Sequence, residues 1–411
     1  MIQISAADNN TNNWEYLPDT DIFYQYFKQN DLIELSKVCK NYRAFLKPQV
    51  LKKLHIDNRV HSYLDICTYD KKRAYENIID SLKINYADNF NLVREVIIKY
   101  GFTSEFACDF FALFPKISSI KINSSGSHSL KNLINTLHNS KYLKHVSINS
   151  NFRRFSPLLD DVYHSFFYQL KSIHISVPPL LVETQLPFDI INSSYTNLKR
   201  LTVVNSRILS KLSNGIPYLL YVEFSHEYQF NLAELKSFIS NNYQLNQISI
   251  SDRHLDEKII NSILTLKNLY KLEIAFSRPE MISFNICIEN YSIKHFIYTG
   301  YGLINYNSVI FDILKMCKNL KVYQVSNVEC YEDVMRNEFP VIDTLLLSRL
   351  FYSNISKLVP KSSKFNQIKF VGGCRFGTIY DQLLKYPDVK WVPKQGYTRE
   401  TDEFTFMNKL F

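Results

Sequence analysis

Glycine and proline are scarce in this sequence, with 9 and 13 copies among 411 residues. So few turn-forming residues argue against a loop-rich fold, and so few glycines argue against phosphate-binding loops. The Walker motif, G-x-G-x-x-G, G-x-S-x-G and H-E-x-x-H do not occur in the chain. We therefore expect a protein that is not an enzyme and that holds neither a metal nor a cofactor.

Closely paired cysteines are also lacking, because the seven cysteines are widely spaced and form no C-x-x-C pair. Such thiols are expected to be small buried hydrophobes in a reducing compartment. Residues 1–13 are polar and carry no secretory signal, so we expect a disordered tail there. No run of 18 apolar residues occurs, so neither a membrane span nor a membrane partner is expected. Together these features predict a location in the cytoplasm or the nucleus.

The net charge of +9 raises the question of an anionic partner. The basic residues are scattered among acidic ones, and the densest cluster, Lys71-Lys72-Arg73, is followed closely by Glu76. Dispersed charge of this kind is typical of a solvated surface. We therefore predict no nucleic-acid partner.

A repeated apolar pattern is the most informative feature that the sequence contains. An apolar residue at position 0 is followed by others at +3 and +5, as in Leu143, Val146 and Ile148. The first residues of twelve copies are Val93, Ile117, Leu143, Leu170, Leu198, Leu219, Leu245, Leu269, Ile293, Leu320, Ile342 and Phe365. Successive copies lie 21 to 28 residues apart, which is within the roughly 20–29-residue range of leucine-rich repeats.

The pattern predicts one strand in each repeat, with positions +3 and +5 facing inward and +2 and +4 facing outward. Segments with helical periodicity lie between the strands, for example around Ile259, Ile260 and Ile263. The chain resembles the leucine-rich-repeat superfamily of the ribonuclease-inhibitor-like type. This resemblance implies an α/β fold over residues 93–375, a right-handed solenoid (horseshoe) with an inner parallel sheet and outer helices. Residues 376–411 are then expected to form a C-terminal cap.

Leucine-rich repeats usually carry an asparagine just after the strand. Position +6 holds Asn123 and Asn149 here, but then Ser176, Val204 and Ser225. We therefore expect an interrupted asparagine ladder and a less uniform curvature.

Residues 14–50 follow a different, helical pattern. Leu17-Pro18 opens a stretch whose apolar stripe includes Phe23 and Phe27. Asp31 and Glu34 have the spacing of a capping box, which predicts a second helix beginning at Asp31. A third short helix is expected near Pro48.

This segment resembles an F-box. The resemblance is carried by Leu17-Pro18, Asp31-Leu32, Leu35-Ser36, Val38-Cys39-Lys40 and Tyr42-Arg43. The sequence departs from the F-box pattern at Tyr42, where a tryptophan is usual, and in a shorter stretch between Leu17 and Asp31. Residues 51–92 are then expected to supply a first strand, at Leu51, Leu54 and Ile56, and connecting helices.

An F-box implies docking to the Skp-family adaptor of a cullin-based, SCF-type ubiquitin ligase. The implied adaptor-binding residues are Leu17, Pro18, Phe23, Phe27, Leu32, Leu35, Val38 and Tyr42. The alternative is that residues 14–50 bury their apolar side chains as the cap that the first repeat of a solenoid needs.

The outward positions of the strands are not needed for the core and are predicted to bind a protein substrate. The candidates are Lys121, His145, His174, Arg200, Tyr221, Glu223 and Lys271, and Glu273 is expected on the same face. Arg200 and Tyr221 come first, because arginine and tyrosine dominate binding hot spots. His145 and His174 lie in adjacent repeats, where they form either a metal or pH-sensing pair or an ordinary polar surface.

These observations favour a non-enzymatic substrate receptor of a ubiquitin ligase. Two other functions stay open at this point. One is a leucine-rich-repeat scaffold or inhibitor without a ubiquitin role, and the other is a GTPase-activating repeat protein. Fold class alone does not separate the three.

Overall fold

The chain forms two compact units, Met1–Arg153 and Arg154–Phe411. The computed structural model describes residues 27, 29–56, 71–99, 104–129, 134–135, 137–138, 140–154, 161–176, 190–226, 228–276, 284–300, 308–325, 342–348, 365–371, 391–394 and 403–408.

The first unit alternates helices and strands. Its helices are α1 (Gln29–Val38), α2 (Lys40–Val50), α3 (Lys71–Tyr86) and α4 (Ser104–Leu113), with a 3-10 helix at Ala87–Leu92. Its strands are β1 (Lys53–Ile56), β2 (Glu95–Ile98), β3 (Ser119–Ser129) and β4 (His145–Arg154), the last of which ends at the boundary of the units. β1, β2 and β3 pair in parallel, which places Leu54, Val96 and Ile120 side by side.

The second unit continues the same alternation. Its helices are α5 (Asp161–Tyr168), α6 (Ser206–Lys211), α7 (Leu232–Asn241), α8 (Glu257–Leu264) and α9 (Ser308–Met316), with a 3-10 helix at Asp252–His254. Its strands are β5 (Ser172–Ser176), β6 (Arg200–Val203), β7 (Tyr221–Phe224), β8 (Gln247–Ser251), β9 (Lys271–Phe276), β10 (His295–Gly300), β11 (Val322–Val325), β12 (Ile342–Ser348), β13 (Phe365–Val371), β14 (Trp391–Lys394) and β15 (Glu403–Asn408).

The strands of each unit pair in the phase of the apolar template. In the second unit, for example, Leu201 lies beside Val222 and Val222 beside Ile248, all at position +3. Every copy of the template coincides with a strand, and every described side chain at +3 and +5 is buried. The predicted fold class, an α/β leucine-rich-repeat solenoid with a parallel sheet, is confirmed.

In the described part of the second unit, helices pack against the face of the strands that carries positions +3 and +5. In α7 the buried side chains are Leu235, Phe238 and Ile239. The ring of Phe238 packs edge-on against Phe224 of β7, at a centroid distance of 5.7 Å. Since Phe224 occupies position +5, the covered face is the one that the template assigned to the core, and positions +2 and +4 face away from it.

Of the three buried asparagines among the described residues, Asn205 lies just after a strand, at +7, and the other two lie ahead of one. Asn242 and Asn290 stand at −3, ahead of the strand, and both are buried. The side chain of Asn242 accepts a hydrogen bond from the amide of Ile216 at 2.8 Å and donates to the carbonyl of Phe238 at 2.7 Å. Polar backbone groups in these turns need buried partners, so asparagine is used where the helix turns back to the next strand.

The N-terminal helices differ from the prediction at two points. α1 begins at Gln29, so Asp31 lies inside its first turn, where a carboxylate is favourable beside the helix N-terminus. α2 begins at Lys40 and not near Pro48, because the Sγ of Cys39 caps it by accepting from the amide of Tyr42. Pro48 lies in the last turn of α2. The first strand predicted at Leu51–Ile56 is present as β1.

The last two strands reverse the direction of the sheet. β15 pairs with β13 in antiparallel fashion, and β14 pairs with the other side of β15, also antiparallel. The template contains no copy in either strand, since it marks only the parallel repeats.

Candidate functional site

The open face of the second unit presents two columns of side chains, which follow positions +2 and +4 across the strands. In β5–β10, position +2 carries Ser172, Arg200, Tyr221, Gln247, Lys271 and His295, and position +4 carries His174, Thr202, Glu223, Ser249, Glu273 and the buried Ile297. The parallel register places Arg200 beside Tyr221 and Thr202 beside Glu223. We refer to His174, Arg200, Thr202, Tyr221 and Glu223 as the concave patch.

One carboxylate oxygen organises the concave patch. Glu223 Oε2 lies 3.2 Å from His174 Nδ1 and accepts hydrogen bonds from the hydroxyls of Tyr221, at 3.3 Å, and Thr202, at 3.4 Å. His174 Nδ1 also lies 2.8 Å from the Thr202 hydroxyl oxygen. Three strands thus contribute to one hydrogen-bonded group, which fixes the rotamers of its members before any ligand arrives.

Arg200 adds an exposed cation to this group. Its guanidinium carbon lies 5.8 Å from the ring centroid of Tyr221, which is within cation–π range. Tyr221 is half-buried and Arg200 is exposed. The most exposed group of the concave patch is therefore an arginine whose guanidinium lies over the ring of Tyr221.

A second polar group continues along the same face. Lys271 and Glu273 are half-buried on β9, and His295 Nε2 on β10 lies 3.3 Å from the Oε1 of Gln324. Burial, together with the positive charge of Lys271, lowers the pKa of His295 despite the hydrogen bond that its ring donates to Gln324 Oε1.

The pKa values of Glu223 and Glu273 are shifted in opposite directions. Burial opposes the ionisation of Glu223, but hydrogen bonds from His174, Tyr221 and Thr202 outweigh it and lower the Glu223 pKa. Burial raises the pKa of Glu273, with a further contribution from the negative charge of Glu223, while Lys271 opposes the shift. Burial and the two carboxylates raise the pKa of the Tyr221 hydroxyl, so Tyr221 acts as a hydrogen-bond donor.

These opposite shifts predict opposite pH dependences of stability. Ionised Glu223 stabilises the fold above the ordinary glutamate pKa of 4.5, and this contribution is lost as the pH falls through its lowered pKa. Ionised Glu273 carries a penalty that is full above its raised pKa and is relieved as the pH falls towards 4.5. At neutral pH we expect Glu223→Gln to lower, and Glu273→Gln to raise, the free energy of unfolding by on the order of 0.5–1 kcal/mol.

Urea unfolding of both variants at a series of acidic pH values measures these differences in the free energy of unfolding. The Glu273→Gln difference should shrink as the pH falls from the raised pKa of Glu273 towards 4.5, whereas the Glu223→Gln difference should still be large at pH 4.5 and be lost only as the pH falls through the lowered pKa of Glu223. Shifts of the same sign for both variants would contradict the proposed electrostatics.

The predicted site residues fall into both units. His174, Arg200, Tyr221 and Glu223 meet in the concave patch, and Lys271 belongs to the neighbouring polar group. Lys121 and His145 lie in the first unit, where they are exposed on β3 and β4. Among the described residues, no group of three or more His, Cys, Asp or Glu is placed to hold a metal ion.

Thr202 is the member of the concave patch that sequence reasoning missed. It is buried and joins His174 to Glu223. The template does place Thr202 at position +4, so its face was available from the sequence. Its small side chain gave no reason to expect a binding role.

The predicted adaptor-binding residues show a range of exposure. Leu17, Pro18 and Phe23 lie outside the described residues. Phe27, Leu35 and Tyr42 are half-buried, whereas Leu32 is buried at 5% exposure and Val38 is 71% exposed.

Comparison with known proteins gives structural likenesses alone. No family model matches the chain. No curated protein matches it either. A chain of the crystal structure of the Rad7 and Elc1 complex in yeast is 14% identical, with a TM-score of 0.34, over 72% of this chain and 92% of that one. A chain of the Toll - Spatzle complex from Drosophila is 10% identical, with a TM-score of 0.34, over 72% of this chain and 45% of that one.

None of the helices in the described part of the chain combines the length and the apolar character that crossing a membrane requires.

Proposed function

We propose that the chain is a non-enzymatic receptor that binds a protein partner on the open strand face of its second unit. The concave patch is the observation that supports this proposal most strongly. It combines an exposed arginine with a half-buried tyrosine, the residue types that are enriched in binding hot spots. The opposite face of the strands that carry the patch packs in the hydrophobic core. The side chains of the patch are therefore already ordered, and binding a partner costs little conformational entropy.

Truncation of the patch tests the proposal. We expect Arg200→Ala and Tyr221→Ala each to weaken partner binding by on the order of 2 kcal/mol, about thirtyfold. The measurement is quantitative co-purification from cells, comparing the proteins retained by the unaltered chain and by the double variant. Lys236→Ala is the matched control, because Lys236 is an exposed cation on the helical side of the same unit. Undiminished capture by a normally stable double variant would move the site away from the concave patch.

The more specific form of the proposal is a substrate receptor of a cullin-based ubiquitin ligase, docked to a Skp-family adaptor through residues 14–50. Two observations support it. The F-box-like residues from Asp31 to Arg43 fall on two packed helices, α1 and α2, and on Cys39 between them. Both helices also display large apolar side chains, Val38 at 71% and Phe45 at 38% exposure, and exposed apolar side chains of this kind suit a binding surface.

A scaffold or inhibitor without a ubiquitin role is the second candidate. It is favoured by the buried side chains of the same helices, Leu32 and Leu46. The side-chain amide of Gln29 also donates to the carbonyls of Val50 and Lys53, at 2.8 and 3.0 Å, which ties α1 to the start of β1. Such helices serve as a cap for the first repeat. Co-purification of a Skp-family adaptor with the full chain distinguishes the two functions.

A further inference from the structure

The turns that lead into the strands of the second unit have a composition of their own. We define the strand-entry rim as positions −3 to +1 ahead of β5–β11, which are 167–171, 195–199, 216–220, 242–246, 266–270, 290–294 and 317–321. These segments contain neither aspartate, glutamate nor arginine. They do contain six lysines: Lys171, Lys199, Lys267, Lys294, Lys318 and Lys321. Because the rest of the chain mixes both signs of charge, this edge stands out as uniformly positive.

Exposed tyrosines accompany these lysines. They are Tyr168, Tyr218, Tyr243, Tyr270 and Tyr291, with exposures from 44% to 72%. Each belongs to a different repeat, so the rings are distributed along the rim. A row of exposed aromatic rings is unusual on a solvated surface and is typical of a binding site, because tyrosine offers large contact area at low entropic cost.

The backbone of the strand-entry rim is rigid. The carbonyl at +1 of one repeat accepts from two amides of the next, as that of Lys199 does from Leu220 and Tyr221 at 2.9 and 3.0 Å. Asparagine side chains also fix the turns that carry two of the tyrosines. Asn268 donates to the carbonyl of Tyr243 at 3.3 Å, and Asn319 to that of Tyr291 at 2.8 Å. Successive side chains are thus held at about the 4.8 Å spacing of the strands.

A cleft opens at the strand-entry rim between the repeats of β9 and β10. Its volume is about 580 Å³, and its lining includes Lys267, Tyr291 and Ser292. Glu289 also lines it, but Lys318 lies 3.1 Å from that carboxylate and the Tyr291 hydroxyl donates to it at 2.7 Å. A ligand that enters this cleft therefore meets the exposed lysine Lys267 and a glutamate whose charge is already compensated.

We propose that the strand-entry rim binds an acidic polypeptide segment in an extended conformation. Carboxylates of the segment pair with the lysines, and its backbone and apolar side chains pack on the tyrosines. Single-stranded nucleic acid is the competing ligand, since it also uses cations and stacked rings. The lack of arginine in the rim favours the polypeptide, because arginine is the preferred residue for phosphate and nucleic-acid recognition. The rim lies at the strand ends and does not include the concave patch.

Fluorescence anisotropy with the full chain tests the proposal. The probe is a labelled peptide of alternating glutamate and proline, which is extended and acidic. The comparison ligands are the matching glutamine–proline peptide and an oligouridylate of similar length. We expect the acidic peptide to bind most tightly. The triple variant Lys267→Gln, Lys294→Gln, Lys321→Gln should weaken it about tenfold, and Tyr243→Ser with Tyr270→Ser at least fivefold.

A second lysine triple provides the matched control. Lys236→Gln, Lys258→Gln and Lys315→Gln remove the same charge from exposed positions on α7, α8 and α9, and this variant should bind within twofold of the unaltered chain. Equal weakening of peptide binding by both triple variants would mean that binding depends only on the net charge of the protein, and it would overturn the proposal. Tighter binding of the oligouridylate, or no binding of the acidic peptide, would also overturn it. Since Arg200 and Tyr221 are intact in every variant, the result is separate from that of the concave patch.

Discussion

Replacement of Asn290 by alanine is expected to lower the free energy of unfolding of the second unit by about 3 kcal/mol. The side-chain amide of Asn290 donates to the carbonyls of Leu264 and Leu266 at 2.8 and 3.1 Å. Its oxygen accepts from the amides of Ser292 and Ile293 at 2.9 and 2.8 Å. Because the residue is only 3% exposed, alanine would leave these groups without partners inside the protein.

Asn268→Ala is the matched control for this prediction. Asn268 is exposed and donates one hydrogen bond, to the carbonyl of Tyr243 at 3.3 Å. Its loss should cost below about 1 kcal/mol. Urea unfolding gives both free energies, and hydrogen exchange should show the additional opening of the Asn290 variant around β9 and β10. Equal costs for the two variants would mean that Asn290 does not join these repeats in the way described.

The second large effect is expected at the N-terminal helices. Replacing Val38 and Phe45 with aspartate should reduce co-purification of a Skp-family adaptor at least tenfold, because a buried charge at an apolar interface is strongly unfavourable. Val38 is 71% exposed, so its replacement should leave the melting temperature nearly unaltered, whereas Phe45 is only 38% exposed and its replacement should lower the melting temperature modestly. Adaptor recovery from cells and thermal unfolding of the purified chain are the two measurements.

Ile84→Asp and Leu32→Ala serve as controls for the adaptor experiment. Ile84 is 79% exposed on α3, so its change adds a charge to an exposed apolar position outside α1 and α2. Leu32 is buried, and its truncation should cost about 2–4 kcal/mol of stability whether or not an adaptor binds. Normal adaptor recovery with the Val38 and Phe45 variant would leave α1 and α2 with the role of a cap.

The strands could be predicted from the sequence because alternate burial is a local property of a strand. Val222 and Phe224 are apolar for the same reason that Tyr221 and Glu223 are polar: the first pair faces the core and the second faces solvent. Successive strands that are joined by crossover segments such as helices pair in parallel, and they pair in phase because each apolar stripe must meet the next. The fold class followed from that pattern.

Other features depend on partners that no local pattern identifies. An apolar stripe does not show which neighbour covers it, so Leu32 and Val38 looked equivalent although only Leu32 is buried. The concave face could be predicted from the template, whereas the convergence of His174, Thr202 and Tyr221 on Glu223 depends on side-chain conformations. Asn290 was missed because its hydrogen bonds reach the preceding repeat.

The final strand of the sheet affects how molecules of this protein meet one another in solution. β14 lies at the end of the strand order, next to β15, and its four residues include Pro393 and Lys394. Proline has no amide hydrogen to offer a further strand, and a lysine at a sheet edge resists burial against a neighbour. This end of the sheet is therefore a poor template for strand addition.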